Sequence, residues 1–181
     1  MKINKNKTAL FIGRFQPFHN GHLFVIKNIL KDYRVIKVVI GSAQEDYTVK
    51  NPLTSIERIM MIERLFRQIG LKKSRYKIYA INDISTNSIW ARYVASRVGG
   101  FNRVVTASPF TKLLFEDSGY QVDEHPLLQR RSYSGTEIRR RILKGKNWYN
   151  LVPASVFVFL QKLDITYRLA EINRTDNEYI K

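Results

Sequence analysis

Apolar positions along this chain follow two rhythms that take turns. TALFIG, Thr8 to Gly13, is a short, nearly continuous apolar run closed by glycine, the pattern of a buried parallel strand. NGHLFVIKNILKDY follows, with Leu23, Val25, Ile26, Ile29 and Leu30 spaced for one face of a helix. RVIKVVIGSA is the next β-branched run. TSIERIMMIERLFRQIG then opens on a Thr or Ser cap and closes on glycine, with Ile56, Ile59, Met60 and Phe66 read as its apolar side. RYKIYAI reads as a third strand, NSIWARYVASRVGG as a helix, FNRVVTA as a fourth strand, and PFTKLLFEDSG as a helix with proline at its start. YQVDEH gives a short fifth strand. SGTEIRRRILKG and VPASVFVFLQKL complete the pattern as helices.

Strands separated by helices of this length predict right-handed crossovers, hence an α/β fold with an open parallel sheet and helices on both faces. One domain over residues 1–181 is expected, with 153–181 as a C-terminal helical extension or tail. The stretch from Asp164 onward is polar and weakly periodic, and is expected to pack at an edge or fray.

Composition narrows the chemistry. There are no cysteines, which removes disulfides and thiolate sites. No apolar run reaches transmembrane length and the N-terminal one is too short for a signal peptide, so a soluble cytoplasmic protein is expected, with no membrane partner. The formal net charge of +16 gives a field that attracts anions. Nucleic acid is one class of anion, but the Lys and Arg residues are spread along the chain rather than gathered in one helix or tail, and no RNA-binding aromatic signature accompanies them. The charge alone favours nucleic acid over a nucleotide as partner, and a merely solvated basic surface stands beside both.

In a parallel sheet, ligands bind beyond the carboxyl ends of the strands. The segment GRFQPFHNGH, residues 13–22, belongs there. Gly13 allows a tight exit from the first strand, Arg14 stands at the mouth, Asn20 is the candidate N-cap, and Gly21 permits close approach. His19 and His22 flank the start of the following helix, where amide groups and the helix dipole draw anions. A zinc site would need more ligands, and the remaining histidine, His125, lies about a hundred residues on. Donation to phosphate is preferred over a metal site or a packed pair. A second anion site is expected in SYSGTEIRRRILKG. Ser134 and Glu137 have capping-box spacing, Gly135 suggests that something approaches the backbone, and Ser134, Thr136 and Arg139 form a cradle for a phosphate chain.

These two segments, about 110 residues apart, resemble the (H/T)xGH and (I/Y)S(S/G)Tx(I/V)R signatures of the nucleotidyltransferase superfamily. Between them IGSAQ, NPLT..ER.MMI and DI..N..W resemble the archaeal type of nicotinamide-nucleotide adenylyltransferase, with the match running from about residue 9 to residue 153. The resemblance implies a Rossmann-like sheet, a homo-oligomer, and the joining of ATP to nicotinamide mononucleotide (NMN) to give NAD⁺ and diphosphate. It implies ATP contacts from Gly13, Arg14, Phe15, His19, Gly21, His22, Ser134, Gly135, Thr136 and Arg139. It implies Mg²⁺ carried on the ATP phosphates, not held by a protein metal site. It places the nicotinamide nucleotide at Asp83, Ile84, Asn87 and Trp90, where Trp90 offers a ring face to a pyridinium. His19, His22, Arg139 and Lys50 then serve catalysis, Lys50 standing where related sequences carry arginine. TASPF and SIER depart from the family forms around Ala107, Ser108 and Arg58. The same signatures serve other phosphorylated acceptors, such as phosphopantetheine. A basic nucleic-acid-binding protein on the same fold is the alternative from another class.

Overall fold

Residues 4–123 and 133–178 are described by a computed structural model. In chain order the first elements are β1 (Asn4–Gly13), α1 (Asn20–Asp32), β2 (Tyr33–Ile40), α2 (Ser55–Gln68) and β3 (Tyr76–Ala80). There follow α3 (Asn87–Val98), β4 (Arg103–Thr106), α4 (Pro109–Asp117), β5 (Val122–Asp123), α5 (Gly135–Leu143), α6 (Ala154–Lys162) and α7 (Ile165–Glu178). The alternation expected from the apolar pattern is present; His125 and the end of the YQVDEH segment lie outside the described residues. Contacts divide the chain into two compact units, one formed by Met1–Arg14, Phe24–Gln44 and Leu71–Leu127, the other by Phe15–Leu23, Glu45–Gly70 and Leu128–Lys181.

The first unit contains the sheet, in the order β3-β2-β1-β4-β5 with every pairing parallel. A central parallel strand is covered on both faces, which is why Ala9 to Ile12 form an unbroken apolar run with no residue more than 6% exposed. From β1 the chain winds outward through β2 and β3, then returns to lay β4 on the other side of β1. The switch point therefore falls between β1 and β4, at Gly13 and Thr106, where sheets of this kind hold ligands. Leu10, Ile12, Val39, Val104, Phe115 and the buried face of α3 build the core around this point. Gly99, at φ 69°, ends α3, and the Lys37 ammonium donates to the Val98 and Gly100 carbonyls there at 2.6 and 2.8 Å.

The second unit is helical. On α2 the buried residues are Arg58, Met61, Ile62, Leu65 and Phe66, whereas Ile56 and Met60 are 68% and 54% exposed. Of the apolar side expected at Ile56, Ile59, Met60 and Phe66, only Phe66 is among the buried residues, and the rest is corrected. Arg58 sits in the buried stripe, fully enclosed, and a charge at that position hid the true periodicity. Its guanidinium donates to the Thr54 and Glu45 carbonyls. Thr54 caps α2 with a complete capping box: its hydroxyl accepts from the Glu57 amide and its own amide donates to the Glu57 carboxylate.

Past Asp164 the polar tail is a regular helix. α7 buries Ile165, Leu169 and Ile172 and packs on α5 and α6, so of the two outcomes expected for this stretch, packing or fraying, it packs, as a helical extension. Phe159 is buried in α6, while Phe157 is half-buried against Trp148 and Tyr149.

Candidate functional site

The chain leaves β1 at Arg14, which is exposed, and turns at Phe15, whose φ of 51° lies in the left-handed region. The Gln16–Pro17 peptide bond is cis. The Phe15 and Phe18 rings are buried and stacked, and both meet the His22 ring, at centroid distances of 4.8 and 5.1 Å. Phe15 thus contributes its ring to the support of His22.

The two histidines form a reciprocal cap at the start of α1. His19 Nδ1 accepts from the His22 amide at 3.3 Å, and His22 Nδ1 accepts from the His19 amide at 3.2 Å. This is the pattern of a capping box with imidazoles in place of hydroxyl and carboxylate. His19 is therefore the N-cap, not Asn20, whose side chain instead donates to the Asn150 carbonyl. The rings stack with centroids 3.5 Å apart and planes 18° from parallel. Burial pushes the His19 pKa down to about 4. Burial first, and then the neighbouring His19, hold His22 well below its ordinary range. Both rings are neutral at pH 7, and because each Nδ1 already accepts a hydrogen bond, each proton resides on Nε2. The pair presents two N–H donors. Among the described residues, no group of three or more His, Asp or Glu side chains is arranged to hold a metal ion.

The second segment packs directly on the first, although the two are separated by more than a hundred positions. A Cβ placed on Gly135 would lie 2.6 Å from the Gln16 carbonyl oxygen, and one on Gly21 would lie 3.1 Å from the Tyr133 Cβ. The close approach expected at Gly135 is thus made by the chain's own backbone. Arg139 is 8% exposed; it donates to the Gln16 carbonyl and reaches the Thr136 hydroxyl at 3.4 Å. Ser134 caps α5 by accepting from the Glu137 amide. The expected return bond from Glu137 is missing, because its carboxylate pairs with Arg140 and Arg141 at 2.7 and 2.8 Å, which hold its pKa down at about 2. Half of that capping box is formed. His19, Gly21, His22, Ser134, Gly135, Thr136 and Arg139 all belong to the second unit, and they combine two helix beginnings with neutral and cationic N–H donors, an arrangement suited to a phosphate chain.

The remaining expected residues lie in other segments of the chain. Lys50 is exposed in the segment before α2. Asp83, Ile84, Asn87 and Trp90 lie in the first unit. The Asp83 amide donates to the Gln44 side chain at 2.9 Å, Asn87 opens α3 in an exposed position, and Ile84 packs at the edge of the core. Trp90 is 8% exposed and meets Phe115 edge-on at 5.9 Å, so most of its ring serves the core; its buried indole N–H has no hydrogen-bond partner. Ser108 caps α4 through the Thr111 amide.

Sequence reasoning missed Gln16. Its carboxamide is 4% exposed and exchanges two hydrogen bonds with the Leu53 backbone, at 2.7 and 3.0 Å, so the histidine loop is tied to the entry of α2. A glutamine inside a loop gives no signal of such a tie in the sequence.

The sheet order and the switch point after β1 define a doubly wound α/β protein. A family model described as cytidylyltransferase-like matches residues 10–141. Nicotinamide-nucleotide adenylyltransferases from three archaea are similar along nearly their whole length. That of Methanolobus tindarius is 39% identical, covering 96% of this chain and 98% of the relative. Those of Archaeoglobus fulgidus and Methanococcus aeolicus are 40% and 41% identical, covering 93% and 96% of this chain and 98% and 99% of theirs. The chain belongs to the cytidylyltransferase-like family, within which it groups with the archaeal nicotinamide-nucleotide adenylyltransferases. In fold it is similar to a bifunctional NMN adenylyltransferase/ADP ribose pyrophosphatase from Francisella tularensis, solved with AMP and a manganese ion. The TM-score is 0.78 at 22% identity, over 96% of this chain and 54% of the longer one. This chain thus spans about half of that protein. Among the described residues no helix is long and apolar enough to cross a membrane.

Proposed function

We infer that this protein is a nicotinamide-nucleotide adenylyltransferase, which transfers the adenylyl group of ATP to NMN, forming NAD⁺ and releasing diphosphate. The observation that carries the reading is the packing of the histidine cap on the start of α5, with Gln16 between them, in a chain about 40% identical to archaeal enzymes of that name. Phosphate is the ligand whose chemistry suits these donors. The 5′-phosphate of NMN is an anionic nucleophile that needs no proton removed, so the protein's task is to align it with the α-phosphorus and stabilise charge on the non-bridging and leaving oxygens. In this reading the Nε2–H groups of His19 and His22 and the Arg139 guanidinium hold ATP phosphates. Ser134, Thr136 and the Gly135 amide hold the far end of the triphosphate, and Arg14 and Lys50 add charge. Trp90, Asn87 and the backbone at Asp83 and Ile84 receive the nicotinamide.

The donors at the site are imidazole, amide, hydroxyl and guanidinium groups, so they suit magnesium only as part of an ATP complex. In that form it neutralises triphosphate charge. The same proposal includes a cytoplasmic location and a homo-oligomer, the second of which light scattering on the purified protein tests.

Purified protein supplied with ATP, magnesium and NMN is expected to produce NAD⁺ and diphosphate, and to prefer NMN over phosphopantetheine. His22→Ala is expected to remain folded by circular dichroism and to lose ~10²–10³-fold in turnover, the usual effect of removing one donor to a charged transition state. Full turnover of a folded His22→Ala protein would remove the histidine from the reaction.

A further inference from the structure

The tail that the sequence marks as unremarkable supplies a side chain with several polar contacts to the segment before α2. From α7, Arg168 makes a two-pronged contact with the Glu57 carboxylate, at 2.8 and 2.9 Å, and donates to the Pro52 carbonyl at 3.2 Å. Its guanidinium carbon also stands 5.0 Å from the centre of the Tyr47 ring. The Arg168 and Glu57 side chains are each 16% exposed, so the pair is largely removed from solvent. Arg168 therefore grips a whole segment, Tyr47 to Glu57, at three points. Leu53, inside that segment, is fully buried and holds the Gln16 carboxamide through both of its backbone groups. Gln16 in turn offers its carbonyl to Arg139, three residues before His19.

We propose that Arg168 is a positioning residue for the phosphate-binding loop, acting through Pro52 and Glu57 on Leu53, and through Leu53 on Gln16, His19 and Arg139. Every member of this chain of contacts lies in the second unit. The competing explanation is that Arg168 merely docks α7. Docking is already provided by Ile165, Leu169 and Ile172, which are 3%, 0% and 9% exposed, and docking alone gives no reason for a guanidinium fork aimed at the α2 cap. The proposal rests on the adenylyltransferase reading only where ATP is the readout.

Hydrogen exchange followed by mass spectrometry, on the full chain without nucleotide, separates the two. Arg168→Ala is expected to speed exchange about tenfold in peptides covering residues 15–22 and 48–53, because a charge-assisted fork and its partners are released together. Ile172→Ala loosens the same helix without touching Glu57, and is expected to leave residues 15–22 within about twofold of wild type. In the enzyme assay Arg168→Ala is expected to raise the KM for ATP about tenfold with a smaller fall in kcat. Arg168→Lys, which keeps the charge but not the fork, restores part of the loss. Adding Gln16→Ala to Arg168→Ala is expected to worsen the KM no further than Gln16→Ala alone. Equal loosening of residues 15–22 by Arg168→Ala and Ile172→Ala, at matched urea midpoints, overturns the proposal. So does full additivity with Gln16→Ala. A wild-type protein that makes no NAD⁺ would defeat the functional reading, while the exchange result would still decide the role of Arg168.

Discussion

Acidification should destabilise this protein through its two histidines while the Glu57 carboxylate is still ionised. In the unfolded chain an imidazole titrates near 6.5, and in the fold His19 titrates at about 4. Between those values the unfolded state holds the extra proton, so stability falls as pH falls. Linkage at 1.36 kcal/mol per pH unit gives a loss of about 2 kcal/mol from His19 by pH 5 and about 3 kcal/mol by pH 4. His22 is lowered as well, so it adds to the loss with the same sign. Against the 5–15 kcal/mol typical of a folded domain, ~3 kcal/mol is a large share. Glu57 is held below its ordinary 4.5: burial raises it, but hydrogen bonds from Arg168 and Thr54 outweigh that, so its contribution is lost only at lower pH. The interval from pH 6.5 to 5 therefore belongs to the histidines. Urea midpoints measured across that interval test this for wild type and for His19→Asn, which keeps a side-chain acceptor for the first turn but cannot titrate. The variant curve is expected to be flatter by about 2 kcal/mol over the interval. Parallel curves would refute the reasoning, because they would mean that the stacked rings carry no titration penalty.

Two further substitutions separate packing from ligand contact. Gly135→Ala gains ~1 kcal/mol of helix propensity but puts a methyl group against the Gln16 carbonyl, a strain of about 1–3 kcal/mol, so its melting temperature without ATP should fall. A rise would show that only a bound phosphate needs that glycine. Trp90→Phe removes an indole N–H that has no partner and a little core volume, so it should cost about 1 kcal/mol of stability while raising the KM for NMN. An unchanged KM in steady-state kinetics would assign the ring to the core alone.

The sheet could be read from the sequence because a parallel strand buried on both faces leaves an unmistakable apolar run, as Ala9 to Ile12 do. Local motifs are equally plain in the sequence, and the segments that carry His19 to His22 and Ser134 to Arg139 pack on one another. What the sequence concealed were polar groups working inside the fold. Arg58 occupies a core position on α2, so the apolar side was assigned to the wrong residues. The spacing of Ile165, Leu169 and Ile172 does announce a helix face, but the charged residues around it made α7 look like a tail. Gln16 acts through a backbone partner 37 positions away, and no periodicity records such a pairing. The cap of α1 is concealed for a related reason: Asn20 has the better propensity, yet His19 has the geometry.

The mutual capping of His19 and His22 limits what either ring can do. An imidazole whose basic nitrogen is already engaged by a main-chain amide cannot abstract a proton without first letting go of its helix. Acid–base chemistry is thereby closed to both residues, and an incoming group that had to be deprotonated would find no acceptor in them. In any reaction at this loop the two rings are left to act as hydrogen-bond donors.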